Sequence, residues 1–128
     1  MVTMGFLGRL FFGPKPEERE AEGMGEHLVR LHIPLTAEMP SGKEFDRFSK
    51  LEDVLDAAAQ KAGAGELDGN EVGGYEFTIW LYGPNGARLA EVMKLCLADI
   101  DLPEGSKLFV RHGGYENPLA REEFIPVR

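Results

Sequence analysis

The chain has 128 residues, enough for one domain and too few for two independent cores. Apolar residues make up 43% of it, which excludes a disordered chain, and 16 glycines with 8 prolines keep its helices and strands short. With 14 basic and 22 acidic side chains the formal net charge is −8, a balance that repels nucleic-acid phosphates and anionic lipid and favours solubility or a basic partner.

Residues 1–26 read as an appendage to the fold. Phe6 with Leu10 and Leu7 with Phe11 stand four apart, the spacing of a short amphipathic helix, and Gly13-Pro14-Lys15-Pro16 would end it. A charged linker follows, with Glu17, Glu18, Glu20, Glu22 and Glu26 around Arg19. The apolar stretch is far shorter than the roughly 20 residues of a spanning helix. It also lacks the cationic leader and small-residue cleavage site of a signal peptide, so a cytoplasmic protein is expected. Cys96 is the only cysteine, and no internal disulfide can form.

The domain proper is residues 27–128. Val29, Leu31, Ile33 and Leu35 alternate with Arg30 and His32, which predicts a half-buried strand. Ser49 and Glu52 are spaced as a capping box, followed by a stripe of Leu51, Val54, Leu55, Ala58 and Ala62 and a stop at Gly63. The other side of that helix, with Glu52, Asp53, Asp56, Gln60 and Lys61, reads as solvated. Residues 64–72 make a glycine-diluted edge strand, and residues 75–82 the strongest strand of the chain. Gly73-Gly74 between them predicts a two-residue hairpin. Gly83-Pro84-Asn85-Gly86 turns into a second helix with Leu89, Val92, Met93, Cys96 and Ile100 on its buried stripe, and residues 107–112 form a last strand before a tail.

The order β-α-β-β-α-β predicts an α+β fold, a ferredoxin-like sandwich of two helices on one face of a four-stranded antiparallel sheet. Its uncovered face would collect Arg30 and His32, Thr78, Trp80 and Tyr82, and Phe109 and Arg111, with Glu76 the sole carboxylate at the margin. Trp, Tyr and Arg are the residues enriched in interface cores, so protein binding or self-association is the first reading of that patch. Covering by the chain's own termini is the second, and a small anionic ligand held by Arg30, His32, Trp80, Tyr82 and Arg111 the third.

Other chemistries lack their residues. Gly73-Gly74-Tyr75-Glu76-Phe77-Thr78-Ile79-Trp80 partly matches the third-strand motif of RNA-recognition domains, but it lacks the leading base and places Glu76 at a small-residue position. Asp68-Gly69-Asn70-Glu71-Val72-Gly73 opens like a calcium loop, yet Val72 and Ile79 occupy ligand positions. His27, His32 and His112 have no zinc spacing, Cys96 lies on a helix stripe, and no serine has the context of a nucleophile elbow. No cofactor or metal is expected, and a non-enzymatic module is the working reading. The stretch from Gly65 to Glu71, with Phe77-Thr78-Ile79-Trp80-Leu81-Tyr82-Gly83-Pro84-Asn85, resembles small uncharacterised bacterial proteins. The resemblance covers roughly residues 27–114 and implies a bacterial cytoplasmic setting without a catalytic motif.

Overall fold

The computed structural model describes residues 10–12 and 26–128. In chain order the elements are β1 (Leu10–Phe12), β2 (His27–Pro34), α1 (Gly42–Lys61), β3 (Glu66–Gly73), β4 (Glu76–Gly83), α2 (Gly86–Leu97), β5 (Lys107–His112) and β6 (Arg121–Pro126). The fold is α+β. All strands join one antiparallel sheet in the order β1-β3-β4-β2-β5-β6. Strands β2 and β3 run parallel with β4 between them, and β4 and β5 run parallel with β2 between them, so each helix crosses over an intervening strand. Both helices pack on one face of the sheet and against each other.

The expected four strands are six among the described residues. The tail carries β6, which pairs with β5 from Lys107↔Pro126 to His112↔Arg121. Its sequence, Arg-Glu-Glu-Phe-Ile-Pro, is charged and proline-ended because it is an outer edge, where such residues discourage pairing with another chain. At the opposite margin β1 pairs with β3, so the glycine-diluted β3 is not an edge. The helix expected around Phe6–Phe11 is a strand at residues 10–12; the rest of that call, and the charged linker through residue 25, lie outside the described residues.

Strand periodicity gave the core correctly. Val29, Leu31 and Ile33, Phe77, Ile79 and Leu81, and Leu108 and Val110 all face the helices with no exposed surface. Each such side chain contributes about 1.5–3 kcal/mol by leaving water.

The helices differ from expectation in phase. The capping box is Ser41 with Glu44, eight residues upstream of the predicted one: Ser41 Oγ accepts from the Glu44 amide and Glu44 Oε1 accepts from the Ser41 amide. Two extra turns bring Phe48 into the core and Phe45 against it, where both rings meet Phe77. The buried side of α1 is Phe48, Leu51, Glu52, Leu55 and Ala59, whereas Val54, expected inside, is 46% exposed. α2 is capped by Asn85 and buries Gly86, Leu89, Ala90, Met93 and Leu97, with Val92, Cys96 and Ile100 half-buried at its side. The hairpin turn is Gly74-Tyr75 rather than Gly73-Gly74, both at positive φ (63° and 67°), as a primed turn between twisted strands requires.

Candidate functional site

The outer face of the sheet is built in cross-strand rows. Antiparallel register places directly opposed residues on the same side, within side-chain reach. One row runs Gly69, Trp80, Arg30, Phe109, Phe124; its neighbours run Glu66, Tyr82, Leu28, Arg111, Glu122 and Glu71, Thr78, His32, Lys107, Pro126. All seven residues expected on this face are in these rows. Period-two alternation in three adjacent strands is what assembles them.

Arg30 occupies the middle. Its guanidinium carbon lies 4.1 Å from the Phe109 ring centroid and 5.2 Å from that of Trp80, two cation–π contacts on facing strands. Burial pushes the Arg30 pKa down, opposed by the carboxylates of Glu71, Glu76 and Glu122. Around it, Leu28, Trp80, Tyr82 and Phe109 form a second, smaller apolar cluster.

Two parts of the expected patch are corrected. The aromatic centre is not open: Thr78 and Tyr82 are 1% exposed, Trp80 4% and Phe109 8%. Nor is Glu76 the sole carboxylate. Glu66, Glu71 and Glu122 share the face, because β3 and the unforeseen β6 bring theirs alongside. His32 Nδ1 lies 3.1 Å from Glu76 Oε1, and that oxygen also accepts from the Thr78 hydroxyl at 3.3 Å. Arg111 donates from Nη1 to Glu122 Oε2 at 2.6 Å and from Nη2 to the Asn117 carbonyl at 2.6 Å, so it holds the loop between β5 and β6. His32 and Arg111 therefore already have carboxylate or carbonyl partners inside the fold, while Arg30 is held between aromatic rings.

What stays accessible is the β6 side. Phe124 is 57% exposed, its ring 5.2 Å from Phe109 and 6.2 Å from His32, with Lys107 Nζ 4.7 Å from its centroid. Tyr115 and Leu119, in the preceding loop, are 59% and 89% exposed. Sequence reasoning missed this rim because it left residues 113–128 as tail. Ile125 and Val127, two apart and both packed against the main core, were the signal that a strand runs there with Phe124 on its other side.

The remaining titratable groups answer to local partners. His27 Nδ1 accepts from the Gly86 amide at 2.8 Å, and burial, then His112, lowers its pKa. His112 Nε2 lies 2.6 Å from Glu123 Oε2, a carboxyl held below its usual range first by that contact. The half-buried Cys96 thiol is pushed up by burial, away from the reactive thiolate. Among the described residues no group of three His, Cys, Asp or Glu side chains could hold a metal ion. Phe77, which the RNA-recognition frame would expose, lies at 0% on the helix side. No helix among the described residues is long and apolar enough to cross a membrane.

No family model matches the chain, and neither a curated protein nor a solved structure does. The rows across the outer face are the ground for a functional reading.

Proposed function

We propose that the chain is a non-enzymatic binding or regulatory module of the bacterial cytoplasm, with a ferredoxin-like core widened by edge strands, which associates through the arginine–aromatic sheet face. Its partner is a second copy or another protein, and contact begins at the β6 rim. The observation that carries this reading is Phe124: an exposed ring packed at a tilt on the buried Phe109, with Lys107 over it and Tyr115 and Leu119 exposed on the same hairpin. Aromatic residues are enriched where interfaces desolvate. β6 itself presents Arg121, Glu122, Glu123 and Pro126, a poor template for strand addition, so the partner packs on side chains rather than extending the sheet. The alternative, a small anionic ligand on the same face, has less support because Arg111 and His32 already face Glu122 and Glu76.

The test is solution mass by light scattering over a range of concentrations, for the wild type and Phe124→Ser. A wild-type dimer that Phe124→Ser converts to a folded monomer supports self-association at the rim. A wild type that stays monomeric at the highest concentration rules out the second copy, and a dimer indifferent to the substitution moves the interface elsewhere.

A further inference from the structure

The helix side carries a different surface. Between α1 and the segment after α2 lies a groove of about 490 Å³. Its floor is apolar, with Phe48, Leu51 and Leu102 buried and Ile100 half-buried. Its outer wall is Val54, a β-branched residue left 46% exposed among the polar positions of a helix surface. The rim is basic: Lys43, Arg47 and Lys50 line it, against Asp46 as the one lining carboxylate. In a chain with net charge −8 and only 14 basic residues, three of them gathered on one apolar groove set this surface apart from the rest.

Positions 43, 47, 50 and 54 follow helical spacing, so the three cations and Val54 form a single stripe along α1, about 16 Å long. Arg47 braces the groove, donating to the Asp101 carbonyl with its guanidinium 3.8 Å from the Asp101 carboxylate. Lys43 and Lys50 make no ion pair among the described residues and are exposed. α1 and α2 offer no strand edge here, so recognition must come from side chains set into the groove. We infer that this groove docks an amphipathic helix of a partner protein, with two or three apolar residues on one face and carboxylates flanking them to meet Lys43 and Lys50. The stripe length matches three turns of such a helix. Charge complementarity selects an acidic segment, and the overall negative charge steers basic ones away.

The experiment uses the full chain and two labelled synthetic peptides of about 15 residues. Both carry leucines at helical spacing; one has glutamates at the flanking positions and the other lysines. Fluorescence anisotropy should show saturable binding of the glutamate peptide, weakened by added salt, and at least about tenfold weaker binding of the lysine peptide. Val54→Asp, and Lys43→Glu with Lys50→Glu, should each lower affinity about tenfold while unfolding profiles stay unchanged, since all three side chains are exposed. Phe124→Ser should bind the peptide as the wild type does, which separates this surface from the sheet-face reading. Equal binding of the two peptides, insensitivity to the groove variants, or no binding at all overturns the inference. So does tight binding of dodecanoate without the peptide, which would make the groove a site for a small amphipathic anion. A solution mass that falls on Val54→Asp and not on Phe124→Ser overturns it as well, in favour of a second copy.

Discussion

Glu52 shows how much a single side chain can weigh inside this fold. It points from α1 toward β3, 8% exposed, and its Oε2 accepts from Asn70 Nδ2 at 2.6 Å. Burial raises its pKa above 4.5; the Asn70 hydrogen bond opposes that rise and Asp53 adds to it. The folded protein thus holds this proton more tightly than the unfolded chain does. Its contribution to stability is complete below the unfolded value and is lost as pH rises through the folded one. Gln at this position keeps the acceptor and adds an N–H for Asn70 Oδ1, which is buried without a hydrogen bond among the described residues. Glu52→Gln should therefore stabilise the protein by about 1 kcal/mol at neutral pH. Thermal melts across pH check this, since the gain should shrink in acid; a pH-independent gain would show that ionisation is not the cause. Gly83 is constrained in a different way. A Cβ there would lie 2.0 Å from the Ala64 carbonyl oxygen, and one on Gly65 would lie 2.3 Å from the Tyr82 carbonyl oxygen. Backbone meets backbone, so neither side can yield cheaply. Gly83→Ala should cost about 3 kcal/mol in urea unfolding, and a cost within error of zero would mean the strands separate more freely than this spacing implies.

Among the elements, α2 depends on others at both of its ends. Its first turn is closed by Asn85 Oδ1, which accepts from the Arg88 amide, and by His27 Nδ1, which accepts from the Gly86 amide. At its far end Arg128 donates to the Leu97 carbonyl at 2.8 Å, and the Val127 and Arg128 amides bond Ser106. Protonating His27 at Nδ1 would replace an acceptor by a donor facing a donor, at the positive end of the helix dipole and beside His112. The pKa of His27 is lowered from 6.5, so the stabilising effect is present above that value and is lost as pH falls through the folded pKa. Glu123 and Arg121 are the other charged groups near His112. His27→Asn removes the titrating group, and its melting temperature should fall less than that of the wild type between neutral pH and about pH 5. Parallel pH profiles for the two proteins would show that His27 is not the source of the acid sensitivity.

For the whole molecule, the sheet carries apolar packing on both faces. The helix side holds the main core, and the outer side holds the cluster of Leu28, Trp80, Tyr82 and Phe109 around Arg30. An acidic chain tolerates arginines on that face because carboxylates from β3, β4 and β6 stand beside them. The two surfaces proposed for partners, the Phe124 rim and the α1 groove, lie on opposite sides of the sheet. Their tests are independent because Phe124 and Val54 share no contact element: β6 lies at the sheet margin and α1 packs on β3 and β4.

Local chemistry in the sequence determined the two helices, the four strands β2 to β5 and the inward side of each central strand, but neither β1 nor β6. Period-two alternation in residues 28–35, 75–82 and 107–112 is a property of the chain itself, and it placed both the eight core residues and the seven outer-face residues correctly. Helix phase was less legible, because Ser41–Glu44 and Ser49–Glu52 have the same capping spacing and only packing of Phe45 and Phe48 on Phe77 chooses between them. The tertiary structure alone decided what sits beside each row. Exposure of Trp80 or Phe109 depends on neighbours that no strand carries in its own sequence. So do the carboxylates opposite Arg111 and His32, because Glu122 is eleven residues away along the chain and Glu76 forty-four. The groove is likewise a product of packing, since Ile100 and Leu102 meet α1 only when the two helices lie together on the sheet.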